Sequence, residues 1–416
     1  MQLYNSRSLS KEEFDPVDNT IRIYVCGITP YDTTHLGHAF TYVTFDILIR
    51  YLEWQGLQVR YVQNVTDIDD DILRKAREVG TDWHSLGNRW TLHFIDDMQA
   101  LNVRPPDEYP RATEVIPEII EFDRRLIERD MAYEAQGNVY FNVDAYKGFG
   151  DLSHLPRSEM LPIANERGNK PDAPGKRDPL DFVLWQAQAE SEPAWSSPWG
   201  PGRPGWHIEC TVMVNKLLGP SIDVHGGGAD LIFPHHESEI AQSVSATGVF
   251  PFSRVWTHIA MVRNAGAKMS KSLGNLVMVS DLLNKYSPDA LRLYLASHHY
   301  RESWEYSIAQ LDRSAGMAER WLTAVKGAPS GPKHGLEDVR QAFRGAIEDD
   351  LNTPKAIGLL DETANRITRG EYSETDRGAA QRVLIELASL LGLRLGPGPE
   401  ERVVAGWARI RKKFED

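Results

Sequence analysis

Apolar residues change their spacing several times along the chain, and each change predicts a different element. Residues 21–28 (IRIYVCGI) are a short, almost unbroken apolar run, which predicts a buried strand. The turn-rich stretch TPYDTTHLGHAF leads into TYVTFDILIRYLEWQG. There Val43, Ile47 and Tyr51 recur four apart and Gly56 closes the segment, so a helix is predicted. LQVRYVQNV follows as a second strand, and strand–helix–strand over this length predicts a βαβ unit in a parallel sheet. Residues 111–135 predict a helix. Between 138 and 195 the strand-like NVYFNV is followed by a stretch rich in Pro, Gly and charge (NERGNKPDAPGKRDP), expected to be an insertion between two halves of an α/β core. SIDVHGGGADLIF and SRVWTHIAMV are expected to return to the core as strands. Beyond about residue 305 the spacing turns helical: Val339, Phe343, Ile347 and Leu351 fall four apart, RVLIELASLLGL predicts another helix, and GAPSGPKHG a linker. The expected fold is therefore α/β, a parallel sheet with an insertion plus a C-terminal helical bundle. Its expected divisions are 1–110 (first half of the core), 111–200 (insertion), 201–305 (second half) and 306–416 (helical domain).

Composition narrows the function classes. The chain has 416 residues, 41% hydrophobic and 25% charged, in the range of ordinary globular proteins. No apolar run approaches the roughly 20 residues of a membrane span, and the polar N-terminus lacks the apolar segment of a signal peptide, so a cytoplasmic protein is expected. A net charge of −13 argues against coating nucleic acid nonspecifically but leaves room for a local basic groove, so tRNA remains a possible partner. With only two cysteines, Cys26 and Cys210, no disulfide framework is expected, and the plain reading of the pair is two buried thiols.

Three local patterns carry chemistry. Cys26 ends the first strand, Cys210 closes GWHIEC, and FPHHESEIAQS puts His235 and Glu239 four apart on a helix expected to start after Pro234. Two thiolates, an imidazole and a carboxylate suit four-coordinate Zn2+, although His235 taken by itself reads more readily as a satisfied structural histidine. Zinc takes thiolate strongly and hydroxyl poorly, so such a site would select a thiol by chemistry where shape alone discriminates only about 10–200-fold. Second, His35 and His38 flank Gly37 at a helix start, where phosphate is favoured. AKMSKSLGN places Lys268 and Lys271 on a loop, where ammonium groups would neutralise leaving pyrophosphate; alone, each motif reads as an ordinary loop. Third, GGGAD (226–230) suggests close backbone approach to a ligand, with Asp230 able to receive an ammonium or hydroxyl, and Trp206 is expected either to wall an amino-acid pocket or to pack in the core.

HLGH and KMSKS resemble the two signature motifs of class I aminoacyl-tRNA synthetases. Together with CGITPYD, NVTDIDDD, GWHIEC and HGGGADLIFPHHE, they resemble the cysteinyl-tRNA synthetase family and its relative, the mycothiol-pathway cysteine ligase, over most of residues 1–360. The resemblance implies a Rossmann-like class I fold, and ATP-dependent activation of L-cysteine with one Zn2+ and, for ATP, Mg2+. It implies zinc ligands Cys26, Cys210, His235 and, as in the tRNA enzymes, Glu239. It places Cys26, Gly27, Ile28, Thr29, Thr41, Asn64, Val65, Thr66, Trp206, Gly228, Ala229, Asp230 and Val262 on the cysteinyl-adenylate, and makes His35, His38, Lys268 and Lys271 catalytic.

Two acceptors follow from it. CGITPYDTTHLGHA and the place of NERGNKP, where the sugar ligases carry ERGGDP, favour the amine of glucosaminyl-inositol. Glu239, His225 and ESEIAQS favour tRNA. A catalytically silent synthetase relative acting as a binding module is the reading from a different class, opposed by two intact activation motifs.

Overall fold

In the computed structural model, residues 1–32, 34–269, 274–327, 335–395 and 400–415 are described, apart from the side chains of Lys268 and Thr375. The expected linker GAPSGPKHG lies largely outside them.

The chain opens with a hairpin, β1 (Gln2–Asn5) and β2 (Ser10–Glu13), and then enters the predicted βαβ unit: β3 (Thr20–Ile28), α1 (Leu36–Trp54) and β4 (Gln58–Val65). The helices α2 (Asp70–Val79) and α3 (Trp83–Ala100) follow, then α4 (Ile116–Glu128). The insertion holds β5 (Ala132–Ala135), β6 (Asn138–Phe141), α5 (Arg157–Glu166), β7 (Val183–Ala187) and β8 (Gly202–Pro204), whose strands form one antiparallel sheet in the order β5-β6-β7-β8. The core resumes with α6 (Trp206–Leu217), β9 (Ile222–Gly228), α7 (Glu237–Thr247) and β10 (Ser253–Ile259). Short strands β11 (Val262–Asn264) and β12 (Ala267–Lys268), helices α8 (Val279–Leu283) and α9 (Pro288–Ala296), and β13 (Trp304–Glu305) precede the helical domain. That domain comprises α10 (Ile308–Ala324), α11 (Glu337–Glu348), α12 (Thr353–Thr368), α13 (Glu374–Leu390) and α14 (Glu401–Arg411).

The central sheet has the order β10-β9-β3-β4, with every pairing parallel. The chain leaves β3 toward β4 on one side and later fills the other side with β9 and β10. The order therefore reverses next to β3, and the crevice beyond the strand C-termini is where such sheets bind ligands. Helix α1 is buried almost all round, as expected of a helix with packing on both sides: β4, β9 and β10 lie beneath it, and α9 and α13 cover it. The expected α/β core, insertion and helical bundle are all present.

The helix expected over 111–135 is shorter. It ends at Glu128, and Ala132–Ala135 pairs as a strand with β6. Asp130 takes a left-handed conformation that stops the helix (φ 59°), and Gln136 and Gly137 both have positive φ (54° and 78°), as a two-residue hairpin turn requires. The stripe ending at Leu351 also overruns its helix: α11 stops at Glu348, and Leu351 is buried from a left-handed turn (φ 51°). No helix among the described residues is long and apolar enough to cross a membrane.

A buried ionic knot joins α1 to the helical domain. Asp46 Oδ2 accepts from Arg50 Nε (2.8 Å) and Arg292 Nη2 (2.5 Å), and its Oδ1 accepts from the Arg104 amide (2.7 Å). Arg292 in turn donates to the carbonyls of Leu391 (2.8 Å) and Leu101 (2.7 Å), and Arg50 to Glu400 Oε1 (2.7 Å). At Gly392 (φ 74°) a Cβ would sit 2.1 Å from the Arg292 guanidinium, so the turn after α13 has to be glycine. Helix α14 then folds back onto the core, with Trp407 buried beside Phe94 and Tyr109 and donating to the Val103 carbonyl at 2.8 Å.

Candidate active site and metal centre

The ends of the parallel strands open into a cavity of about 1040 Å³, at the upper limit of the usual size of small-molecule sites. β3 contributes Cys26 and Gly27, β4 Asn64, β9 Gly228 and β10 Ile259, while the insertion supplies the facing wall. Of the residues the sequence singled out, Cys26, Gly27, Thr29, His35, His38, Thr41, Asn64, Thr66, Trp206, Cys210, Gly228, Asp230, His235 and Val262 all line this cavity. Ile28, Val65 and Ala229 do not. Ile28 and Val65 pair in register at the strand ends and point into the core. Ala229 begins a short 3-10 turn. The backbone of Lys268 lies in β12, and Lys271 falls outside the described residues.

Cys26, Cys210 and His235 line the cavity and Glu239 lies beside them away from its wall; all four are buried, with one donor atom of each within 4.8 Å of the others. The thiols are free, 3.9 Å apart at sulfur, close to the roughly 3.7 Å that two thiolates would span on a tetrahedral zinc with bonds of about 2.3 Å. Cys26 Sγ lies 3.7 Å from Glu239 Oε1, which is 3.1 Å from His235 Nε2. His235 precedes α7 in an irregular turn over Ile232–His236, with Phe233 extended, so the regular helix expected after Pro234 starts only at Glu237.

The surrounding histidines orient this set. His207 Nδ1 is 2.9 Å from His235 Nδ1, which leaves the His235 Nε2 for the centre. His225 Nε2 holds Glu239 Oε2 at 3.0 Å and leaves Oε1 facing inward. His236 reaches Cys26 Sγ at 3.2 Å and makes a second buried set possible, Cys26, His225, His236 and Glu239. Outer partners that fix ligand orientation in this way are usual around metals. Burial opposes every charge here, yet His225 and His235 hold Glu239 down to about 2. Against the same burial, Glu239 and Cys210 lift His235 to about 10, and Cys26 and His235 lower the Cys210 thiol to about 6. Cys26 is pushed well up by burial and by Cys210 and Glu239. Such a crowd of donors fits a divalent cation. The histidines His207 and His258 were missed in the sequence because they are singletons there; His236 stood in the visible doublet at 235–236 but was not singled out.

The start of α1 borders another part of the cavity. His35 is its N-cap, accepting from the Gly37 amide at 3.1 Å, and its ring stacks on that of His38 with centroids 3.8 Å apart. Trp206 stacks on His235 at 4.4 Å while facing the cavity, so it walls the pocket rather than filling the core. The triple glycine is explained differently from the expectation. A Cβ on Gly226 would lie 2.0 Å from the Phe45 ring and one on Gly227 would lie 2.8 Å from Leu231, so two of the three glycines admit the protein's own side chains. Only Gly228 faces the cavity.

Gly27 is the tightest point. Its amide donates to Asn64 Oδ1 at 2.7 Å, and a Cβ there would fall 1.5 Å from the Asn64 carbonyl oxygen. Gly27→Ala is expected to force β3 and β4 apart at the cavity floor. It should cost about 3 kcal/mol or more, since overpacking ordinarily costs 1–3 and here the obstacle is backbone. Urea unfolding would register this, and an unchanged midpoint would contradict the close packing.

The comparisons with known proteins agree with this layout. Residues 13–316 match the family model for "tRNA synthetases class I (C) catalytic domain", and residues 342–396 match the DALR domain. The chain is 46% identical over 377 residues to the L-cysteine:1D-myo-inositol 2-amino-2-deoxy-alpha-D-glucopyranoside ligase of Thermomonospora curvata, covering 90% of each chain. It is 43% identical over 404 residues to the cysteine--tRNA ligase of Dehalococcoides mccartyi, covering 95% of this chain and 86% of that one. A solved structure of Mycobacterium tuberculosis methionyl-tRNA synthetase with methionyl-adenylate shares the fold (TM-score 0.62, 16% identity, 89% of each chain). With a parallel sheet opening onto the HLGH helix, a DALR helical domain, and a family model spanning 13–316, the chain belongs to the class I (C) tRNA synthetase catalytic-domain family.

Proposed function

We propose that the protein activates L-cysteine with ATP as cysteinyl-adenylate and passes the cysteinyl group to the amine of a small amino-sugar acceptor of the glucosaminyl-inositol kind. The observation that carries cysteine activation is the buried Cys26, Cys210, His235 and Glu239 set beside the cavity that His35 and His38 border. Those four side chains would hold zinc, which when bound supplies preference for a thiolate over a hydroxyl.

The protein's own residues do the rest. The rings of Trp206 and His235 flank the substrate side chain, and Asp230 receives its ammonium. The cysteine carboxylate oxygen attacks the α-phosphorus of ATP, forming the new P–O bond as pyrophosphate leaves. His35 and His38, at the positive end of α1, stabilise the charge growing on the α-phosphoryl oxygens. Lys268 and Lys271 neutralise the pyrophosphate. In the second step the acceptor nitrogen attacks the cysteinyl carbonyl carbon, the C–O bond to AMP breaks, and the nitrogen gives up a proton. Asp69 lines the cavity, and burial pushes its carboxyl up to about 7, against the pull of the Ile72 amide, which makes it the base placed to take that proton.

The amine acceptor is supported by the named activity of the Thermomonospora relative, matched evenly over both chains. The second reading, charging of tRNA, is favoured by Glu239 in the donor set and by the Dehalococcoides relative. AMP release with glucosaminyl-inositol and with tRNA decides between them: the amine is expected to give an amide product with tRNA inert. Cysteinyl-tRNA formed at ordinary turnover, with an unreactive amino sugar, would reverse the choice.

A further inference from the structure

Three of the four buried donors are steered by a histidine from outside their set. His207 holds His235 at 2.9 Å, His225 holds Glu239 at 3.0 Å, and His236 reaches Cys26 at 3.2 Å. Cys210 is engaged instead with fellow members, Cys26 at 3.9 Å and His235. The group that stands beside its sulfur from outside the set is the hydroxyl of Tyr24.

Strand β3 places this tyrosine. Side chains alternate along a strand, so Ile23 and Val25 enter one core while Tyr24 and Cys26 enter the other, together with Cys210. Tyr24 lies opposite His225 of β9 in the parallel register, with the two rings 5.1 Å apart. It is fully buried, and its hydroxyl oxygen has no hydrogen-bond partner of regular geometry among the described residues. A buried hydroxyl in that state is costly unless something else takes its proton as a hydrogen bond. Burial, and then the neighbouring Cys210, Cys26 and Glu239, oppose loss of that proton, so the group remains an O–H donor with Cys210 within its reach.

We propose that Tyr24 is the outer partner of Cys210: its hydroxyl donates to the Cys210 sulfur when that sulfur is a metal-bound thiolate, and so readies the centre for the thiolate of the substrate. The inference rests on the reading of the four donors as a zinc site. Two thiolates and a carboxylate already outnumber the charges of a divalent ion by one, and a third thiolate adds another. Excess buried charge is unfavourable, and a hydrogen bond to sulfur draws part of it away. Tyr24 does not line the cavity, so it is a positioning residue that acts through Cys210.

The test compares Tyr24→Phe in the full chain with the control Tyr42→Phe. Tyr42 is a buried neighbour whose hydroxyl donates to the Cys26 backbone carbonyl at 3.1 Å and not to a sulfur. Changes to the outer partners of metal ligands typically cost 10–100-fold, so zinc affinity by chelator competition is expected to fall about 10-fold in Tyr24→Phe. With Co2+ in place of zinc, the sulfur-to-cobalt charge-transfer band should move to longer wavelength in Tyr24→Phe, because the sulfur regains electron density. It should stay in place in Tyr42→Phe. In cysteine-dependent pyrophosphate exchange, KM for cysteine should rise in Tyr24→Phe with KM for ATP unchanged. Without metal, Tyr24→Phe should unfold at the wild-type urea midpoint or above it, since the hydroxyl removed is unsatisfied there. An unchanged zinc affinity and cobalt band in Tyr24→Phe, or an equal band shift in Tyr42→Phe, overturns the proposal. So does a lowered metal-free midpoint with an unmoved band, because Tyr24 would then only support the fold. A wild-type chain that takes up neither zinc nor cobalt defeats the zinc reading itself, and the proposal with it.

Discussion

Cys210→Ser is expected to empty the metal centre, from about one zinc per chain to a small fraction, and to lower cysteine-dependent pyrophosphate exchange by more than about 100-fold. Changes to residues that merely orient metal ligands typically cost 10–100-fold in affinity or activity, and removal of a ligand should exceed that. Serine nearly matches cysteine in size, so packing at this buried position is little disturbed, while the hydroxyl is a poor zinc ligand. The loss is compounded inside the protein. Cys210 is the group that, with Glu239, raises His235, and its thiol lies 3.9 Å from Cys26. Residual exchange in the variant should discriminate less between cysteine and serine. Metal analysis of the purified protein checks the first claim, and a full complement of zinc in the variant would remove Cys210 from the ligand set.

Asp46→Ala is expected to destabilise the protein by about 3–5 kcal/mol, the usual cost of stranding buried charge. The carboxylate is the shared acceptor of two buried guanidinium groups, and among the described residues Arg292 hydrogen-bonds otherwise only to the carbonyls of Leu391 and Leu101. The knot spans α1, α9 and the turn after α13, so its loss should loosen the helical domain from the helix that carries His35 and His38. The pH dependence has a definite sign. Burial alone would raise the Asp46 carboxyl, but Arg50 and Arg292 hold it below its ordinary value. A carboxyl depressed in the folded state contributes stability that is complete above its unfolded value of about 3.9 and is lost as pH falls through the folded value. The wild type should therefore shed this contribution only in acid, and the variant should show a smaller drop in urea midpoint between neutral pH and acid below about pH 4. An Asp46→Ala midpoint equal to that of the wild type at neutral pH would show that the arginines are satisfied without it.

Glycines divide into those whose purpose was visible and those whose purpose was not. GGGAD suggested a ligand, but Gly226 makes room for Phe45 from α1, a residue 181 positions earlier, and no local pattern reports that. Gly27 and Gly392 are likewise constrained by backbone or guanidinium groups from distant segments. The missed strand Ala132–Ala135 had a local signal, the Gln136–Gly137 pair, which the apolar spacing of the preceding helix obscured. The regular α-helix expected after Pro234 starts at Glu237, because the backbone is kinked at Phe233 (φ −134°, ψ 134°) and Ile232–His236 forms an irregular turn ahead of it.

What the chain determined by itself is local or short-ranged: the βαβ unit, the helical C-terminal region, the HLGH cap on α1, and which side chains are chemically able to bind zinc. Apolar spacing and motif order encode these because they depend on neighbours a few residues apart. The meeting of Cys26 with Cys210, the contacts by which His207 and His225 steer His235 and Glu239, and the Asp46 knot were decided only in three dimensions. Each depends on segments brought together by the order of the parallel sheet and by the insertion folded over it, and distances across such joins leave no periodic trace in the sequence.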